Sequence, residues 1–154
     1  MKAIHFELNT ADLYQIESHL LQCANNFIPP LHTITLIPDY AQKIHSLGYR
    51  FEAWNETKLI GLVACYLNNF ETKIGYITNV SIDEVYMGNG LAKELLKRVC
   101  NYAIGINFTS IELRVNCDNQ RALALYKTCN FLLVNKIEND YLMKINLVDD
   151  TAGC

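Results

Sequence analysis

Two rhythms of apolar positions alternate along the chain, and each switch between them marks an element boundary. AIHFEL, Ala3 to Leu8, alternates and predicts a strand. Thr10 then offers a helix N-cap, and Leu13, Ile16, Leu20, Ala24 and Phe27 recur at helical spacing. The adjacent prolines of IPPLHTITLIP forbid that helix to continue. A second short helix is predicted over YAQKIHSLG, closed by Gly48. YRFEAWNETKLIGLVACYL holds two strand-like runs around the turn NETK, a hairpin signal. KIGYITNVSID predicts another strand, with Ile74, Tyr76, Thr78, Val80 and Ile82 on one face. Leu91, Leu95, Leu96, Val99, Cys100 and Ala103 then form a helical stripe opposite Lys93, Glu94, Lys97 and Arg98. SIELRV predicts a strand, and Asp118 or Asn119 caps a helix carrying Ala122, Leu125, Tyr126 and Cys129. FLLVNKI and YLMKINLV, parted by END, predict a closing hairpin. The order β-α-α-β-β-β-α-β-α-β-β is that of a mixed α/β domain.

Composition narrows the class. At 154 residues and 51% hydrophobic, with three prolines, the chain reads as one ordered domain over residues 1–148, and residues 149–154 as a frayed tail. A net charge of −3 with well-mixed signs lacks the basic footprint of a nucleic-acid binder. No apolar run reaches membrane-spanning length, and the first residues carry no secretory core. Six scattered cysteines without C-x-x-C spacing predict free thiols and a cytoplasmic protein. The four histidines have no thiol or carboxylate in ligand spacing, so no metal is expected.

The chemistry concentrates where Gly88 and Gly90 precede a helix. A helix N-terminus leaves N–H groups unpartnered and partly positive, and glycines let the main chain approach an anion closely. The pair suits a phosphate cradle or, alternatively, a plain tight turn. A dinucleotide fingerprint would want glycine where Lys93 stands, and the G-K-[ST] of a Walker loop is absent. The blocks VSIDEVYMGNGLAKELLKR and IELRVNCDNQRALALYKTCNF resemble the GNAT superfamily of acyl-CoA-dependent N-acetyltransferases. The likeness runs roughly from Ile74 to Phe131. It matches the pattern [Q/R]-x-x-G-x-[G/A] at Met87, Gly88, Asn89, Gly90, Leu91 and Ala92, followed by Asn119, Ala122, Leu125, Tyr126 and Phe131. Two positions depart from it: Met87 replaces Arg or Gln, and Asn130 replaces the glycine before Phe131. Backbone groups dominate such a cradle, and Asn tolerates a left-handed helix end, so both changes are physically mild.

The resemblance implies a mostly antiparallel sheet of about seven strands with about four helices, splayed between the fourth and fifth strands. It implies acetyl-CoA as co-substrate and direct attack of an amine on the thioester. Val80, Ser81 and Ile82 would supply backbone hydrogen bonds to the pantetheine arm and acetyl carbonyl, one N–H facing the oxyanion. Met87 to Ala92 would hold the pyrophosphate, and Asn119 would touch the cofactor or cap its own helix. Tyr126 is the expected catalytic residue, a phenol that donates to the departing thiolate. No base stands out. Arg114 occupies the place where some relatives carry Glu; Glu52, His32 and Glu112 remain as candidates, each read first as an ordinary surface residue, with relay through water the default.

The acceptor site implied by the family uses NNFIPPLHTI and KIENDYLM. Their apolar, aromatic character argues against polyamines and Lys-rich tails. The expected acceptor is a primary amine on a small molecule, such as an amino sugar or sugar nucleotide. The alternatives are a protein N-terminus or lysine, or a non-catalytic acyl-CoA-binding module. Self-association as a homodimer is left open by the sequence.

Overall fold

The computed structural model describes residues 3–148, so the tail expected at 149–154 lies outside the described residues. The strands are β1 (Ile4–Leu8), β2 (Tyr49–Asn55), β3 (Lys58–Tyr66), β4 (Ile74–Ile82), β5 (Ser110–Asn116), β6 (Leu132–Ile137) and β7 (Asp140–Asn146). The helices are α1 (Leu13–Cys23), α2 (Ile37–Leu47), α3 (Leu91–Gly105) and α4 (Gln120–Thr128). All seven strands form one sheet in the order β1-β2-β3-β4-β5-β7-β6. Only β4 and β5 run parallel; the other neighbours are antiparallel.

Helices cover both faces. On one side Ile16, Leu20, Ala41 and Ile44 of α1 and α2 pack on Leu59, Leu62 and Ala64. On the other, the predicted α3 stripe joins Leu123, Tyr126 and Cys129 on a core from β2 to β7. Burial on both faces is why β3 reads as a continuous apolar run rather than an alternating one.

Several boundaries differ from expectation, each for a local reason. The cap of α1 is Asp12, not Thr10: Asp12 accepts from the Gln15 N–H while the Gln15 side chain accepts from the Asp12 N–H. Thr10 is drawn away because its N–H and hydroxyl both donate to the fully buried Glu52. The α1 helix ends at Cys23, and Ala24–Asn26 tighten into a 3₁₀ turn before Phe27. The α2 helix starts three residues before the predicted Tyr40, at Ile37, because Pro38 in a first turn forfeits no hydrogen bond. Gly48 ends α2 at φ −90°, an ordinary extended conformation. A Cβ there would lie 2.9 Å from the Ile44 carbonyl oxygen, so space rather than handedness selects glycine.

The most consequential difference is in β4. Ala64 pairs with Asn79 but Cys65 with Ile77, leaving Thr78 as an extra residue in a β-bulge. The bulge breaks the period of two, so the face expected to carry Ile74 through Ile82 is split. Thr78 turns to Tyr40 of α2, whereas Val80 and Ile82 pack with the α3 core.

Candidate active site

β4 and β5 pair only between Ile74–Ile77 and Ser110–Leu113, then separate although both strands continue. The sheet therefore opens from within, and the unpaired edge of β4 from Thr78 to Ile82 faces the gap. A cavity of about 680 Å³ occupies it, roofed by the loop around Phe27 to Thr35 and floored by β4 and β5. A smaller space of about 310 Å³ continues from it to the start of α3. Val80, Met87, Asn119 and Tyr126 line both, so one channel runs from the sheet opening to the helix end.

At the helix end Gly88 and Gly90 have φ of +82° and +76°, conformations that other residues adopt only with strain. A Cβ at either would meet nothing within 4 Å, so both glycines border open space. The first carbonyl used by the α3 ladder is that of Gly90, which accepts from Glu94. Consequently the N–H groups of Leu91, Ala92 and Lys93 have no helical acceptor and point out of the helix start. The Met87 N–H, expected in this cradle, instead donates to the Glu84 carbonyl at 3.2 Å, which closes the turn after β4. Lys93 and Arg121 also line this end and add positive charge that the sequence pattern did not single out. Free N–H groups, open glycine faces and two cations fit a diphosphate.

Where the two spaces meet, Tyr126 lies nearly buried with its ring edge-on to Phe131, 5.9 Å between centroids. Burial pushes its phenol well above the ordinary value, with Cys129 adding to the shift. It stays protonated at neutral pH, as a proton donor must. Asn119 caps α4, its side-chain oxygen accepting from the Ala122 N–H at 3.2 Å, and it also lines both spaces. Asn130 takes the left-handed conformation, φ +72°, that the missing glycine would otherwise supply.

Val80, Ser81 and Ile82 pair with Val63, Leu62 and Gly61 on the β3 side, which leaves their other edge toward the cavity. The Ser81 side chain is committed elsewhere. Its hydroxyl donates to Asn79 Oδ1 at 2.8 Å and lies 2.9 Å from His19 Nε2. Burial holds His19 neutral by pulling its pKa down to about 4. Beside them the Tyr40 hydroxyl donates to the Thr78 carbonyl at 2.6 Å and so clamps the bulge. Burial raises the Tyr40 pKa to about 12. Neither Asn79 nor Tyr40 was marked by the sequence pattern, because a bulge has no signature of spacing.

The base candidates are not assembled here. Glu52 is fully buried and accepts from Thr10, the Ala11 N–H and Trp54, fixing the β1–α1 connection rather than facing the channel. His32 and Glu112 do not line the cavity, whereas Glu138, Asp140 and Arg114 do. Arg114 and Asp140 are paired at 3.2 Å. Among the described residues no group of three His, Cys, Asp or Glu is placed to hold a metal ion.

The chain belongs to the acetyltransferase (GNAT) family, whose sequence profile matches residues 12–131. It is 28% identical over 93 residues to the N-alpha-acetyltransferase MAK3 of Arabidopsis thaliana, covering 60% of this chain and 49% of that one. It is 31% identical over 84 residues to the N-acetylaspartate synthetase of Xenopus tropicalis, covering 54% of this chain and 31% of that one. The chain thus spans about half and about a third of these relatives' lengths. Its fold superposes on Arabidopsis thaliana NAA60 in complex with acetyl-CoA with a TM-score of 0.73, at 22% identity, covering 94% of this chain and 98% of that one.

Proposed function

We propose that this domain transfers an acetyl group from acetyl-CoA to the α-amino group of an amino acid or of a peptide N-terminus. The observation that carries the reading is the free edge of β4 from Thr78 to Ile82, leading directly to the unpaired N–H groups at the start of α3. In this reading the cradle of Gly88, Asn89, Gly90, Leu91 and Ala92 holds the pyrophosphate, helped by Lys93 and Arg121. Backbone groups of Val80, Ser81 and Ile82 hold the pantetheine arm, and a preorganised N–H there stabilises developing charge on the acyl oxygen. Tyr126, kept protonated by burial, gives its proton to the leaving sulfur.

An α-amine is preferred here to the amino sugar expected from the sequence for two reasons. The relatives named above include an N-alpha-acetyltransferase and a synthetase of N-acetylaspartate. The acceptor end of the cavity also pairs an apolar roof, Phe27, Ile28 and Leu31, with Glu138, a carboxylate that attracts an ammonium. The five described cysteines form no disulfide with one another, which supports a reducing, cytoplasmic setting. No helix among the described residues is long and apolar enough to cross a membrane.

The test is release of free CoA thiol from acetyl-CoA in the presence of single amines: amino acids, N-terminal peptides, amino sugars and polyamines. Release that depends on an α-amine is the expected result. Binding of acetyl-CoA without acceptor-dependent release would instead identify a non-catalytic module.

A further inference from the structure

We infer that Arg114 reads a carboxylate on the acceptor: the guanidinium that Asp140 holds at the acceptor end of the cavity binds an acid group carried close to the α-amine. This rests on the transfer reading above and narrows its acceptor to an amine with an acid beside it. That acid is either the α-carboxylate of a free amino acid or the side chain of an acidic first residue.

Arg114 is the first residue of β5 beyond its last pairing with β4, so it stands where the sheet begins to open. Leu113 and Val115 on either side of it are buried in the α3 core. Alternation therefore sends the Arg114 side chain to the opposite face, the side of α1, α2 and the roof loop. Among the described residues it is the one cation lining the large cavity. Lys93 and Arg121, the other cations of the channel, border only its phosphate end. Tyr76 stands on the same face of β4, in register with Glu112. Burial raises its phenol pKa, and the Arg114 charge is close enough to oppose that shift.

The pairing with Asp140 orients the guanidinium without exhausting it. The contact is a single one, Nη2 to Oδ2 at 3.2 Å, and the Arg114 side chain remains 38% exposed. A guanidinium has five N–H donors in a planar fork, so a second acid can dock on its other edge. Glu112, on the same face of β5, is offset by Lys144 directly opposite it on β7. Asp140 opens β7 just after the turn that carries Glu138. The Glu138 carboxylate lines the cavity and has no ion pair among the described residues. One end of the cavity thus presents a held cation and an unpaired carboxylate, the complement of an acid and an ammonium carried close together. A polyamine would offer Arg114 only like charge, which costs affinity.

The experiment uses the full chain saturated with CoA and measures acceptor binding by calorimetry with two matched pairs. One pair is leucine and leucinamide; the other is Asp-Leu-Ala and Asn-Leu-Ala, both amidated at the C-terminus. Within each pair the members differ by one acid group. The parent should bind one acid member about tenfold or more tightly than its amide partner, the size of a charged hydrogen bond, and the pair that responds identifies the source. In Arg114→Gln that ratio should fall to about one; comparing the same ratio in parent and variant cancels any difference in amine basicity. Arg114→Lys keeps the charge but not the fork, and should retain part of the preference. Asp140→Asn separates acceptor reading from a structural tie. It removes the internal competitor for the guanidinium, so the ratio should hold or rise, whereas a merely structural pair would make it behave like Arg114→Gln. Equal loss in those two variants, no preference in either pair, or a preference unchanged in Arg114→Gln overturns the proposal. An Arg114-dependent preference without thiol release from acetyl-CoA keeps this inference and removes the transfer reading; release without a preference does the reverse.

Discussion

A buried phenol is held in one protonation state, and the role proposed for Tyr126 uses that. Its ring is packed against Phe131, and its environment disfavours the phenolate, so the proton is retained at neutral pH. In the proposed reaction that proton is donated to the charge that develops on the departing sulfur. Replacing Tyr126 by Phe preserves the ring and its packing while deleting the proton. Turnover of that variant should fall by roughly a hundredfold, with little change in acetyl-CoA affinity, in a steady-state assay with both substrates varied. Turnover equal to that of the parent would take Tyr126 out of the mechanism. Glu52 illustrates the opposite fate for a polar residue. The sequence left it as a possible base or an ordinary surface carboxylate, yet it is fully buried and its oxygens are consumed by Thr10, Ala11 and Trp54. A carboxylate saturated by donors is a structural tie, not a base.

At the scale of elements, α1 and β4 are joined through one buried imidazole, and its titration should be visible in stability. The folded-state pKa of His19 is near 4, below the ordinary 6.5. Between those values the unfolded chain binds a proton that the folded chain refuses, so stability falls as pH falls through that window and levels off below it. Urea unfolding at pH 7 and pH 4.5 should show the parent losing about 2 kcal/mol more than His19→Gln. Equal losses in the two proteins would mean that His19 is not held neutral in the fold. The same region shows why some elements were legible in the sequence and others were not. The α3 stripe and the paired glycines announce themselves, because helical spacing and a left-handed backbone demand particular residue types. The cap of α1 was misassigned because Thr10 and Asp12 are both good caps, and only the distant Glu52 decides between them. The Thr78 bulge left no trace in the pattern. Its cause is tertiary, a hydroxyl from Tyr40 on the facing helix, and it moved Asn79 and Ser81 to a face that alternation assigned to their neighbours.

Over the whole molecule, two cores on opposite faces of one sheet allow the sheet to open without coming apart. Each side of the opening is anchored independently: β4 through β3 and the helices on both faces, β5 through seven paired positions with β7. A parallel neighbour pair that shares only its first four residues then leaves a cleft whose wall is main chain and whose far end is a helix start. This is the feature on which the proposed function depends; the order of elements was readable from spacing, whereas the opening between β4 and β5 was expected only from the family resemblance, since divergence of two strands is a matter of twist and packing. The measurement that tests it most directly is a crystal structure of the chain grown with acetyl-CoA. The account predicts the pantetheine arm hydrogen-bonded along the free edge of β4 between Thr78 and Ile82, with the pyrophosphate on the N–H groups of Gly88 to Ala92. Acetyl-CoA bound elsewhere, or a β4 edge closed by β5 with the cradle empty at saturating ligand, would contradict it.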